Sequence, residues 1–127
     1  MLPDREVADC RPALTSLAAR FRETRELTER LCRTLAPEDC VVQSMPDVSP
    51  TKWHLAHVTW FFERFVLEHF EPHYQRFNDR FHYLFNSYYF TVGRMHPRPQ
   101  RGLLSRPTVD EVVRYRQHVN AHVLELI

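Results

Sequence analysis

Glycine is almost absent from this chain, and cysteine is scarce. The 127 residues include only two glycines and three cysteines, with no Cys-x-x-Cys pair. So few glycines favour helices joined by proline-containing loops over a fold built from tight turns. The first residues do not predict a secretory leader, and an odd set of cysteines (Cys10, Cys32 and Cys40) is typical of a reducing compartment. We therefore expect a cytoplasmic location.

Long apolar runs and an excess of one charge are also lacking. Seventeen Lys and Arg residues against sixteen Asp and Glu residues give a formal charge of +1. No apolar stretch approaches the roughly 20 residues that a membrane-spanning helix needs. The sequence therefore predicts no nucleic-acid or membrane partner. With 43% apolar and 26% charged residues, we expect a single folded domain over residues 1–127.

Apolar residues recur at three- and four-residue spacing in several segments, which is the pattern of amphipathic helices. Prolines cluster between these segments, and no strand-like alternation or internal repeat competes with them. The pattern predicts an all-α bundle. The predicted helices are Pro12–Leu35, Pro50–Phe70, a less regular segment at Phe77–Tyr89, and Thr108–Ile127.

Two of these helices carry signals at their first residues. Ser49 is predicted to cap the second helix, with Pro50 in its first turn. Thr108 and Glu111 form a capping-box pattern at the start of the last helix. The second helix is apolar almost all round, so we expect neighbouring elements to bury it. The last helix reaches Ile127 without a Gly or Asn cap, and we expect the natural helix to extend further.

His118 and His122 lie four residues apart, so they share one face of the last helix. With one further imidazole from the segment Lys52-Trp-His-Leu-Ala-His57 on the second helix, they would give three neutral nitrogen ligands and leave coordination positions open, as a catalytic metal requires. Two simpler alternatives stay open. The histidine pair can be a solvated helix face, and His57 can be a core histidine that hydrogen-bonds to a backbone carbonyl.

Five separated blocks, in this order, closely resemble the N-terminal DinB-like domain of EgtB-type ergothioneine sulfoxide synthases. Together they cover most of residues 36–122. The blocks are Val41-Val-Gln-Ser-Met-Pro-Asp47, Ser49-Pro-Thr-Lys-Trp-His-Leu-Ala-His57, Asn86-Ser-Tyr-Tyr89, His96-Pro-Arg-Pro-Gln-Arg-Gly-Leu-Leu-Ser-Arg-Pro107 and Tyr115-Arg-Gln-His-Val-Asn-Ala-His122.

The resemblance implies a DinB-like four-helix bundle, its last helix here apparently incomplete, that binds iron(II) through His57, His118 and His122. In the family a C-terminal domain resembling formylglycine-generating enzyme follows, and these 127 residues do not contain it. The family reaction is O₂-dependent: it joins the sulfur of cysteine or γ-glutamylcysteine to hercynine and leaves a sulfoxide. The family's catalytic tyrosine lies in that second domain, so we expect this part of a non-haem iron oxidoreductase to bind metal without completing the reaction.

Two further roles are expected, the first from the same resemblance and the second from a position next to the site. Arg98 and Arg101 match arginines that bind the carboxylates of the thiol substrate, a role that suits the forked guanidinium. His54 is expected to be a second-shell hydrogen-bond partner of the metal site. The remaining histidines, His69, His73, His82 and His96, are expected to be ordinary polar residues, and a solvated basic loop is the alternative for the arginines.

Two other functions stay open at this point. Single-domain DinB-like proteins include metal-dependent thiol S-transferases and isomerases that use zinc, nickel or another divalent ion. A non-catalytic bundle that only dimerises would bind no divalent metal. The sequence decides neither the thiol donor, nor the metal, nor whether the domain forms a homodimer.

Overall fold

A computed structural model describes residues 11–89 and 91–127, and the surroundings of side chains from residue 16 onward, so Cys10 lies outside the described residues. This part of the chain contains five α-helices and no β-strand, which confirms the predicted all-α class. The helices are α1 (Arg11–Leu31), α2 (Thr51–Phe62), α3 (Glu68–Phe70), α4 (Phe81–Phe85) and α5 (Val109–Leu126).

The helix predicted at Pro50–Phe70 contains a π-helical turn. This turn spans Glu63–Leu67 and joins α2 to α3 without a break. Short 3₁₀ helices lie at Asp39–Val41 and Arg98–Leu103, inside segments that were predicted to be loops. No helix in the described ranges is both long enough and apolar enough to cross a membrane.

The core forms where α2 packs against α5. Its fully buried members include Trp60, Ala56, Tyr115 and Val119. The expectation that the second helix is buried on every side is wrong, because the side chains of Val58, Phe61 and Phe70 are 38%, 39% and 61% exposed. The described neighbours of α2 cover only part of its circumference.

The two predicted helix caps have different outcomes. Thr108 accepts a hydrogen bond from the Glu111 N–H at 3.1 Å, which confirms the cap of α5. Ser49 does not cap α2, because Pro50 occupies the N-cap position without a side-chain hydrogen bond. The Ser49 hydroxyl instead accepts a hydrogen bond from Nη1 of Arg101 at 2.9 Å. The Ser49 oxygen, which was predicted to cap the helix, therefore accepts from the charged guanidinium of Arg101.

Two helices are shorter than predicted. Helix α1 ends at Leu31, four residues before the expected Leu35. The segment predicted at Phe77–Tyr89 is α-helical only from Phe81 to Phe85. It is bounded by Asn78, whose side chain accepts the Arg80 N–H, and by Asn86, whose backbone is extended. Asparagine side chains that bond to nearby backbone groups compete with helix formation in this way.

Candidate functional site

His57 lies in α2 between two tryptophan rings. Its imidazole stacks on Trp53 and Trp60, with ring centroids 4.6 and 5.7 Å away. Nδ1 is 2.6 Å from the carbonyl oxygen of Phe85. Because a carbonyl only accepts, Nδ1 carries the proton and Nε2 keeps its lone pair. Burial lowers the pKa of His57, and the Phe85 carbonyl only partly opposes this effect. The ring is therefore neutral, as a metal ligand must be.

A cavity of about 420 Å³ opens beside His57. It brings together four residues that were singled out in the sequence, namely His54, His57, Arg98 and Arg101. No hydrogen bond joins His54 to His57 among the described residues, so the second-shell role of His54 stays a prediction. We call this cavity the His57 pocket; its lining is Asp47, Val48, Ser49, Trp53, His54, His57, Ser87, Tyr88, Arg98 and Arg101.

Arg101 is a buried cation in the wall of this pocket. Its side chain is 3% exposed, and its guanidinium lies 3.7 Å from the centre of the Trp53 ring. No carboxylate pairs with it in the part of the chain that the structure describes, and its Nε has no hydrogen-bond partner. Burial, assisted by the nearby charge of Arg98, lowers the pKa of Arg101 to about 10. A buried cation with unused donors favours an anionic ligand.

His118 and His122 share one face of α5, as predicted. Their ring centroids are 4.6 Å apart, and both rings lie beside Tyr74. Nε2 of His118 is buried and has no hydrogen-bond partner among the described residues. Neither residue lines the His57 pocket. Within residues 16–89 and 91–127, His57, His118 and His122 do not form a group whose ligand atoms all lie within 4.8 Å of one another, so the three-histidine ligand set stays a prediction.

Glu63, Glu68 and His82 do form such a group and could hold a metal ion. Nε2 of His82 is 3.4 Å from Oε1 of Glu63 and 3.2 Å from Oε2 of Glu68. Residues five apart on an α-helix point about 140° away from each other. The π-helical turn reduces this separation, because the N–H of Glu68 bonds to the carbonyl of Glu63. The two carboxylates therefore face His82 together.

The sequence did not predict this group, and His82 was expected to be an ordinary polar residue. The structure places its side chain, 13% exposed, against two carboxylates. One signal was present in the sequence. Glu63 is the only acidic residue in the apolar run Trp60–Leu67. A charge in a helix that neighbours bury must find partners.

Glu63 is fully buried and already well supplied with hydrogen bonds. Its carboxylate accepts from the hydroxyls of Tyr74 and Tyr115 and from the N–H of Phe77. Burial alone would raise the pKa of Glu63, but the hydrogen bonds, that of His82 first among them, outweigh burial and lower it. We call this set of contacts the Glu63 network.

His82 has its other nitrogen engaged. Nδ1 accepts a hydrogen bond from the indole N–H of Trp60 at 3.4 Å. A neutral His82 therefore carries its proton on Nε2, between the two carboxylates. A metal ion bound at Nε2 would have to displace this proton, whereas Nε2 of His57 is free. The distances allow a cation at the Glu63 network. Among the described residues, Oε2 of Glu68 and Nε2 of His82 are buried there without a hydrogen-bond partner.

The fold and the pocket define an all-α domain in which a neutral imidazole faces a cavity with two arginines. The family model of the DinB superfamily matches residues 20–127, which is most of the chain. The chain therefore belongs to the DinB superfamily. Comparison with curated proteins finds no match.

Proposed function

We propose that this DinB domain is the iron(II)-binding N-terminal part of a sulfoxide synthase of the ergothioneine type, and that His57 is one of its metal ligands. One observation carries the proposal. A neutral histidine with a free Nε2 shares a single pocket with Arg98 and Arg101. The proposed reaction needs a metal that binds the thiol and a cationic wall that binds the carboxylate of the same thiol. The histidine can hold the metal, and the two arginines can form the wall.

The surroundings of His57 fit a metal ligand. Ligating histidines usually donate their second N–H to a backbone carbonyl or a carboxylate, which fixes the tautomer and the ring orientation. The carbonyl of Phe85 does this for His57, and the stacked rings of Trp53 and Trp60 hold the imidazole plane. Bound iron(II) would supply coordination positions for a thiolate and for O₂.

Arg98 and Arg101 are proposed to orient the thiol substrate, cysteine or γ-glutamylcysteine, through its carboxylate. Arg101 is fixed by Ser49 and Trp53 and keeps an unused N–H. Binding an anion there would offset the cost of its buried charge. Hercynine and the C-terminal domain of the family complete the proposal as the second substrate and the partner domain.

His118 and His122 are proposed as the other two ligands. Burial, together with the neighbouring His122, lowers the pKa of His118. Its unpartnered Nε2 is therefore neutral and suited to a metal. Since neither residue lines the His57 pocket, their part in the proposal needs a test separate from that of His57.

The test is iron content after anaerobic loading with Fe(II), followed by removal of loosely bound ions. The parent should keep about one iron per chain. The variants are His57→Ala, the double variant His118→Ala/His122→Ala, and His82→Ala, with the exposed His73→Ala as a matched control. Loss of iron in the first two variants and retention in the other two supports the proposed ligand set.

The remaining outcomes show which part of the proposed ligand set or function is wrong. Loss in His57→Ala alone keeps His57 as a ligand and removes the α5 pair. Loss in His82→Ala alone assigns the metal to the Glu63 network and overturns the role of His57. A parent that instead binds zinc or nickel and transfers a thiol to 1-chloro-2,4-dinitrobenzene without O₂ would replace the synthase with a thiol transferase.

A further inference from the structure

Tyr88 has an unusual backbone at the edge of the His57 pocket. Its φ angle is 64°, and it is the only non-glycine residue with a positive φ among the described residues. Side chains with a Cβ disfavour this left-handed conformation, and tyrosine gains no local hydrogen bond from it as asparagine would. Such backbone outliers concentrate at functional sites, where the surrounding structure holds them in place.

Asn86 holds the loop that carries Tyr88. It is fully buried, and its Nδ2 donates to the carbonyls of Tyr89 and Gly93 at 3.2 and 3.3 Å. These two bonds close the loop on the C-terminal side of Tyr88. Ser87 lies between Asn86 and Tyr88 in the sequence. It is 4% exposed and therefore cannot move outward without losing its packing. The backbone at Tyr88 is thus imposed by its neighbours.

The left-handed backbone places the Tyr88 ring against Arg98. The guanidinium carbon of Arg98 lies 4.8 Å from the centre of that ring, within the range of a cation–π contact. The Tyr88 side chain is 69% exposed, so burial of its own surface does not explain the strained backbone. The ring instead contacts the guanidinium of Arg98.

The main chain of Arg98 is fixed independently of Tyr88. The side-chain amide of Gln43 donates to the carbonyl of Arg98 at 2.8 Å and accepts the N–H of Gly102 at 2.7 Å. A Cβ on Gly102 would come within 2.6 Å of the Gln43 side chain, so the two segments touch closely. The guanidinium of Arg98 has no hydrogen bond or ion pair within the described part of the chain. The Tyr88 ring is therefore the contact that orients it.

We propose that Tyr88 is a positioning residue for carboxylate binding in the His57 pocket. Its ring supports the flat face of the Arg98 guanidinium and leaves the N–H edge free to grip a carboxylate. This inference rests on the proposed function and deepens it, because it names the residue that sets the affinity for the carboxylate of the thiol donor.

The test compares binding of two thiols to the Fe(II)-loaded full chain by anaerobic titration calorimetry. One probe is γ-glutamylcysteine, and the other is 2-mercaptoethanol, a thiol without a carboxylate. The variants are Tyr88→Phe, which keeps the ring, and Tyr88→Gly, which removes the ring and accepts the backbone. Tyr83→Ala removes an exposed tyrosine outside the pocket and serves as the control.

We expect Tyr88→Phe and Tyr83→Ala to bind both thiols as the parent does. Tyr88→Gly should bind γ-glutamylcysteine about two- to fivefold more weakly, the loss of a partly exposed cation–π contact, with no change for 2-mercaptoethanol. Its melting temperature should be no lower than that of the parent, because glycine relieves the left-handed backbone. A merely structural tyrosine would instead lower the melting temperature and affect both thiols.

Three results would overturn the inference. Parent-like binding of γ-glutamylcysteine by Tyr88→Gly would remove the role of Tyr88 and leave the proposed function intact. Equal weakening for both thiols would assign Tyr88 to general pocket structure. A parent that binds neither thiol would overturn the inference and the substrate part of the proposed function together.

Discussion

The His57 pocket and the Glu63 network lie on either side of one tryptophan. The Trp60 ring stacks on His57, and its indole N–H donates to His82. Both regions contain buried ionisable groups, but these groups differ in the hydrogen-bond partners that they have. In the pocket, Arg101 has unused donors and no carboxylate partner among the described residues. In the network, several donors converge on the single carboxylate of Glu63.

This difference between Arg101 and Glu63 indicates a binding role for the arginine and a stabilising role for the carboxylate. A polar group left without a partner is costly, so a protein keeps it where a ligand will supply the partner. A buried carboxylate that accepts several hydrogen bonds is satisfied and holds together the elements that donate to it. We therefore expect changes in the pocket to affect ligand binding and changes in the network to affect stability.

The largest effect on stability should come from Glu63. Glu63→Ala leaves the hydroxyls of Tyr74 and Tyr115 and the N–H of Phe77 without their acceptor. We expect a loss of about 3–5 kcal/mol in the free energy of unfolding, measured by urea denaturation. The exposed Glu125→Ala should change it by less than about 0.5 kcal/mol. A similarly small change for Glu63→Ala would contradict the network as a stabilising element.

Lowering the pH should remove the stabilisation that Glu63 provides. The pKa of Glu63 in the folded chain is lowered by its hydrogen bonds, which outweigh burial. The unfolded chain therefore binds the proton more readily, so this stabilisation is present above the unfolded pKa of about 4.3 and is lost as pH falls through the folded pKa. Urea midpoints should fall more steeply between about pH 5 and pH 3 in the parent than in Glu63→Gln. Equal slopes would show that Glu63 does not drive acid unfolding.

A much smaller effect on stability than at Glu63 is expected at Arg101. Arg101→Gln loses the bond to Ser49 and the contact with Trp53, but it also removes a buried charge without a carboxylate partner. These changes oppose each other, so the free energy of unfolding should stay within about 1 kcal/mol of the parent. Binding of γ-glutamylcysteine should fall about tenfold or more, since a charge-assisted bond is lost. Large destabilisation with unchanged binding would reverse the distinction between the two regions.

Much of the fold could be predicted from local patterns. The three- and four-residue apolar spacing gave the positions of α1, α2 and α5, because helix periodicity depends only on nearby residues. The cap at Thr108 was predictable for the same reason, since its donor lies three residues away. The cap predicted at Ser49 is not formed, because Pro50 occupies the N-cap position. The Ser49 hydroxyl instead accepts a hydrogen bond from Arg101, 52 residues further along the chain.

Part of the candidate site was also visible in the sequence. His57, Arg98 and Arg101 stand in separate blocks, and the structure brings them into one pocket. The triad of His57, His118 and His122 stays a prediction, since in the described residues their ligand atoms do not all lie within 4.8 Å of one another. Spacing along one helix fixes the pair on α5, but it does not determine which part of α2 that pair will face.

The sequence by itself determined the helical class, the main helix positions and the residues able to bind a metal or an anion, because these depend on side-chain chemistry and local periodicity. Only the tertiary structure decided which of them meet. The π-helical turn brings Glu63 and Glu68 together against the α-helical period, and Asn86 imposes the backbone that sets Tyr88 beneath Arg98. Both outcomes depend on packing between distant segments, which no local pattern encodes.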